Sequence, residues 1–389
     1  MIPYSAELEL KTGKLDFIEC PIKNSDQQLI RYRNINKLEL IMKRKTEIFN
    51  IGLDINKPNS SKIFENHQIK LFMNNCLKEY FISRLAYAHP SGVFAYDFHF
   101  TYLLSQQILV FELLMEDAGK SLQKIYKEGK LNTLNFVKVF SQLISVMEFL
   151  EYIKIFYSDV KLDNFLIDSR GLFRVIDYDV SQDAGYGKTR TMKDSTNMLG
   201  YTEGYVAPEV KAFIKKQVNK ELKPWDCINI WKGDIYSCGI LGLLLGGAIK
   251  DDQTLKNLDG FKDTLNNHEN IIKLIDKINV NDSLLTAKMK CILEACLDFD
   301  PERRLSFKHL NDLMKIVNLK SLDEIKKSIQ KYSNISESPL KSIWGTSQDM
   351  ENSGKKNDSS PKMDGIKKEN NYNNPLFNPQ FKISRICSN

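Results

Sequence analysis

Hydrophobic and polar positions alternate through residues 15–45, the mark of strands that bury one face. The pattern predicts three strands, over residues 15–23, 28–35 and 37–43. In the third, Leu38, Leu40 and Met42 share one face, and Ile41 and Lys43 the other. From residue 68 to 86 the spacing turns helical, and it does so again over 134–154. There Phe136, Val139, Phe140, Leu143, Val146, Met147 and Leu150 form a stripe that belongs in a core. Two short apolar runs, Phe165-Leu166-Ile167 and Leu172-Phe173-Arg174-Val175-Ile176, flank Asp168-Ser169-Arg170-Gly171 and predict a hairpin. Residues 239–249 are almost continuously apolar but too few to span a bilayer, so they suit a buried central helix. Residues 288–297 and 307–319 read as helices that pack after it. Strands first and helices afterwards predict an α+β chain.

Composition changes this picture little. A chain of 389 residues is ample for one two-part catalytic unit and a tail. The net charge of +6 is spread over many short lysine runs, so no nucleic-acid partner is expected, and no membrane partner either. The seven cysteines show no Cys-x-x-Cys and read as reduced thiols in a cytoplasmic protein. The start, Met1-Ile2-Pro3-Tyr4-Ser5-Ala6-Glu7, lacks the basic and apolar segments of a signal peptide. Residues 333–389 are expected to be a disordered polar tail, being rich in Asn, Ser, Lys, Asp and Pro and without period.

The chemistry concentrates in Asp159-Val160-Lys161-Leu162-Asp163-Asn164 and in Asp177-Tyr178-Asp179, on either side of the predicted hairpin. Phosphoryl transfer from ATP asks for this set. One carboxylate meets the incoming hydroxyl, an amide and a second carboxylate hold Mg²⁺, and a lysine offsets charge on the transferred group. The hairpin returns Asn164 and Asp177 to the same end.

Downstream lie Thr202-Glu203-Gly204-Tyr205-Val206-Ala207-Pro208-Glu209, then Asp234 at the opening of the apolar run, then Asp300-Pro301-Glu302-Arg303-Arg304. With these in order, residues 15 to 330 resemble a eukaryotic protein kinase of the serine/threonine type. The resemblance implies a two-lobed fold, a β-rich lobe of about residues 15–112 and a larger helical lobe of about 115–332. It also implies ATP and Mg²⁺ as cofactors, protein substrates, Asp159 as base and Lys161 at the γ-phosphate, with Asn164 and Asp177 as metal ligands. Thr202 would line the substrate pocket, Glu209 would pair with Arg304, and Asp234 would brace the catalytic loop. Lys43 matches the lysine of the third strand, and Glu79, on the helix before His89-Pro90, its partner. Phe111 would be the gatekeeper, and Glu112 to Leu114 the hinge that binds adenine through its backbone. The catalytic loop resembles the casein kinase 1 form, whereas the intact Ala-Pro-Glu does not fit that group, so the subfamily stays open.

Departures from the family pattern keep a second reading open, a pseudokinase that binds without catalysis. The first turn, Asn24-Ser25-Asp26-Gln27-Gln28, has no glycine, although close backbone approach to phosphate favours it. Ile41 replaces a small residue next to adenine, and Asp179 replaces a glycine. Tyr157-Ser158 replaces His-Arg, which removes the family's usual reader of a phosphorylated activation segment. Residues 48–64 and 210–231 read as insertions.

Overall fold

The computed structural model describes residues 15–24, 27–34, 39–48, 67–103, 108–131, 134–183, 190–191, 202–223, 226–250, 255, 264–316 and 321–336. The expected glycine-free turn at Ser25 and Asp26, most of the first expected insertion, most of residues 184–201 and the tail from residue 337 lie outside these residues.

The strand-forming stretches become β1 (Leu15–Asn24), β2 (Gln27–Asn34) and β3 (Glu39–Ile48), followed by helix α1 (His67–Ala86), β4 (Ala95–Leu103) and β5 (Ile108–Glu116). They form a five-stranded sheet in the order β1-β2-β3-β5-β4, antiparallel throughout. In β3 the alternation buries Leu40 and Met42 and sends Lys43 and Lys45 to the opposite face. The strand runs on past the expected end at residue 43, because its pairing with β5 continues to Ile48 opposite Ile108. Helix α1 closes the lobe with Ile69, Cys76 and Leu77, packed in one cluster with Phe100, Phe111, Leu113 and Leu166.

The second lobe begins with β6 (Lys120–Ser121), α2 (Leu122–Lys127) and α3 (Phe136–Tyr152). The stripe of α3 is buried, and Asn135 caps its start by accepting from the Lys138 N–H. Strand β7 (Ile155–Phe156) leads into the segment Tyr157–Asn164, and β8 (Phe165–Ile167) pairs with β9 (Phe173–Val175). Asp168 closes their turn by accepting from the Arg170 and Leu172 N–H groups, and Gly171 takes φ +75°.

Helix α4 (Pro208–Val218) starts on a proline that is already bent for a helix. It occupies the first part of the stretch 210–231 that was expected to be inserted. That stretch is helical at both ends, because Val210, Phe213 and Ile214 bury one face and Ile230-Trp231 already belong to the next helix. That helix, α5 (Ile230–Leu245), is buried on every side except at Lys232. Its small residues let neighbours approach. A methyl group at Gly242 would stand 2.5 Å from Leu293 and 2.8 Å from Phe140, an overpacking that costs about 1–3 kcal/mol. Helices α6 (Thr264–Asp276), α7 (Ser283–Cys296), α8 (Phe307–Lys315) and α9 (Leu322–Ser336) complete the described part. Helix α9 thus covers the first residues of the expected tail. Among the described residues no helix is long and apolar enough to cross a membrane. The result is a β-sheet lobe beside a helical lobe, an α+β architecture.

Candidate active site

The segment after β7 is held from below. The Asp234 carboxylate, inside α5, accepts the Tyr157 N–H at 3.1 Å and the Ser158 N–H at 3.1 and 3.3 Å. Burial raises the Asp234 carboxyl to about 7, against the pull of those two N–H groups, and the Asp159 charge raises it further. Ser158 sits at φ +68°, and Tyr157 Oη donates to the Ile176 carbonyl at 2.5 Å. This backbone turns Asp159 toward three partners. Its Oδ1 accepts from Thr202 Oγ1 at 2.8 Å, and its Oδ2 lies 2.8 Å from Asn164 Nδ2 and 2.6 Å from Lys161 Nζ. Asn164 Nδ2 also donates to the Asp159 carbonyl. A hydroxyl already rests on one carboxylate oxygen, and a half-buried ammonium lies on the other. That is the geometry in which a carboxylate can accept a hydroxyl proton beside a cation.

The β8–β9 hairpin brings the second acid close. Phe165 pairs with Val175, and the Ile176 N–H donates to the Asn164 carbonyl, so Asp177 follows directly beside Asn164. Asp177 takes φ +65°. From the sheet lobe, Lys43 Nζ reaches both Glu79 Oε1 and Asp177 Oδ1, each at 2.7 Å. Glu79 is fully buried, and the helical turn that holds it is tied by Ser83 Oγ donating to the Glu79 carbonyl. Burial would lift the Asp177 carboxyl, but Lys43 and then Lys45 hold it well below the usual carboxylate range. Burial would likewise depress the Lys43 ammonium, and Asp177, Glu79 and Asp179 raise it far above its ordinary value. Lys43 and Asp177 are therefore both charged at neutral pH.

These residues suit a magnesium ion that arrives with phosphate. Among the described residues no group of three or more His, Cys, Asp and Glu side chains forms a protein-only metal site. One carboxylate and one amide, Asp177 and Asn164, would leave most of the coordination to phosphate oxygens and water, as Mg²⁺ prefers.

Farther down, Arg304 and Glu209 form a two-pronged pair at 2.6 and 2.9 Å, with the guanidinium fully buried. Arg304 also donates to the Asp298 and Lys232 carbonyls, and Lys232 Nζ donates to the Arg304 carbonyl. This ties the start of α4 to α5 and to the turn before α8.

The residues expected to form the hinge lie inside the sheet. Glu112 and Leu114 sit inside β5, opposite Arg44 and Met42 of β3 and opposite His99 and Asp97 of β4. Their backbones are flanked by strands on both sides and do not face a nucleotide. The Glu112 side chain is buried against Arg44 at 2.5 Å. Phe111 is a core residue, its ring 5.0 Å from that of Phe100. The chain leaves the sheet only after Glu116, through Asp117–Gly119, and Ile41 stands opposite Met115. The strand runs four residues beyond Glu112, through Met115 to Glu116, so the expected hinge falls within it. Sequence reasoning also missed Lys45, two residues beyond Lys43 and therefore on the same face, which reaches Glu79 at 2.8 Å and Asp179 at 3.0 Å.

The family model for the protein kinase domain matches residues 54–314, more than half of the chain. Among known proteins, the chain is 27% identical over 257 residues to CBL-interacting protein kinase 11 of Oryza sativa subsp. japonica, covering 65% of this chain and 43% of the relative. It is 26% identical over 230 residues to CBL-interacting serine/threonine-protein kinase 20 of Arabidopsis thaliana, covering 57% and 44%. A nitrogen permease reactivator protein of Saccharomyces cerevisiae matches at 26% over 129 residues, covering 33% and 15%. The chain spans less than half the length of these relatives. With this match over most of its length, and with the sheet lobe, helical lobe and residue cluster described above, the chain belongs to the protein kinase family.

Proposed function

We propose that the protein is a working serine/threonine protein kinase that transfers the γ-phosphate of ATP to hydroxyl groups of proteins. The observation that carries this is the convergence at Asp159, where Thr202, Asn164 and Lys161 all contact one carboxylate. In this reading Asp159 accepts the substrate hydroxyl proton and Lys161 offsets charge on the transferred group. Asn164 and Asp177 hold Mg²⁺, and Lys43, fixed by Glu79, orients the phosphates. Adenine is recognised by backbone groups of the Glu116–Ala118 link. Thr202, hydrogen-bonded to Asp159, lines the hydroxyl pocket.

The pseudokinase reading has one observation on its side. Ile41 lies on the face of β3 that carries Lys43 and pairs with Met115, where in the kinase reading its bulk would narrow the adenine site. The deciding assay is transfer from labelled ATP with Mg²⁺ to generic protein substrates and to the protein itself, with Asp159→Asn alongside. Transfer by the wild type, reduced about 10²–10⁴-fold in the variant, is the expected result. No transfer at millimolar ATP, with no thermal stabilisation by Mg-ATP, leaves the binding module.

A further inference from the structure

Lys45 extends the Lys43 cluster into a second rung. Lys43 joins Glu79 Oε1 to Asp177, and Lys45 joins Glu79 Oε2 to Asp179. Both rungs run from α1 to the turn after β9 through one strand face, and the Lys45 side chain is only 12% exposed. The charges are nearly matched: three carboxylates, Glu79, Asp177 and Asp179, meet two ammonium groups. Without Lys45 the single Lys43 would face all three acids, with Glu79 fully buried among them. Like charges at such spacing repel, and the carboxylate with the most room moves away. Asp179 is the most exposed of the three side chains, at 31%, and so the one able to leave. It is separated from Asp177 only by Tyr178, whose ring is buried edge-on against Tyr157 at 5.6 Å. Displacement of Asp179 therefore twists the backbone at Asp177, which already sits at φ +65°.

We propose that Lys45 is a positioning residue: by binding the Asp179 carboxylate it fixes the Asp177–Asp179 turn so that Asp177 faces the catalytic loop. The proposal rests on the phosphotransfer reading of the site. Lys45 and Asp179 act as a unit, the lysine compensating for an acid where the family pattern carries glycine.

The test is a double-substitution cycle in the full chain, with Lys45→Met, Asp179→Gly and both together. Transfer from labelled ATP is followed across a Mg²⁺ titration. Methionine keeps the length and packing of the lysine stem and removes only the charge. In the wild-type background Lys45→Met is expected to lower transfer at limiting Mg²⁺ about tenfold and to raise the Mg²⁺ needed for half-maximal rate. In the Asp179→Gly background it costs less than about threefold, because the acid it answers is gone. Equal losses in both backgrounds, or an unchanged Mg²⁺ requirement, would assign Lys45 a packing role and overturn the proposal. If Lys45→Met does not fold, Lys45→Gln takes its place in the same cycle. A wild type without transfer overturns the kinase reading and this proposal with it. A wild type that transfers phosphate with an additive cycle overturns this proposal alone.

Discussion

The catalytic loop and the lysine cluster above it bring charged groups to one point by different means. In the loop, Asn164 reaches Asp159 across five residues, and the backbone rests on a buried carboxylate inside α5. In the cluster, Lys43 meets Glu79 across 36 residues and Asp177 across 134, through side chains alone. Short-range hydrogen bonds on a packed support hold their geometry even when one partner is lost. Ion pairs between separate elements hold only while the charges balance. The difference teaches that the Asp159 side of the site is built as part of the helical core, whereas the Lys43 side is held by charge.

Four measurements would break or sharpen this contrast. The largest effect is expected away from the chemistry. Glu209→Gln leaves the fully buried Arg304 without its carboxylate and should cost about 3–5 kcal/mol in equilibrium unfolding. A loss below about 1 kcal/mol would mean that the carbonyl partners of Arg304 suffice without Glu209. Next, Lys43→Met should lower kcat/KM for ATP about 10²-fold, as expected for a preorganised electrostatic contact. An unchanged value would remove Lys43 from the phosphate side and weaken the case for charge tuning.

The support under the loop can be read by pH. Burial raises the Asp234 carboxyl from 3.8 to about 7, so the folded protein binds a proton there that the unfolded chain has already released. Its contribution to stability is full below about pH 4 and is lost as the pH rises through 7. In thermal melts the wild type should therefore fall in stability relative to Asp234→Asn between these limits, and run parallel to it above them. A constant difference from pH 4 to 8 would mean that the two N–H groups keep Asp234 ionised. The smallest effect is expected from Tyr157→Phe, which removes the hydrogen bond to the Ile176 carbonyl. It should cost about 1 kcal/mol by chemical denaturation and leave the rate of transfer nearly intact, if the loop is held mainly by Asp234.

The loop was legible in the sequence because its groups lie within one short segment and one hairpin. A turn with Gly171 and an Asp168 cap leaves little freedom in where Asn164 and Asp177 end up. The Lys43 face followed from alternation, and the position of Glu79 from its helix before His89-Pro90. The place of Glu112 and Leu114 did not follow, because only the pairing of β3 with β5 out to Glu116 shows that they lie within the sheet. Lys45 was passed over for a similar reason. A run of Lys43-Arg44-Lys45 reads as a solvated edge until Glu79 and Asp179 are seen on its inner face.

By itself, then, the sequence determined the lobes, the order of the motifs and the identity of the groups gathered at Asp159, because period and local turns are written in neighbouring residues. Where β5 leaves the sheet, and which lysine answers which acid, was decided only by the tertiary structure. Strand register and charge balance are properties of residues that the chain keeps far apart and folding alone brings together.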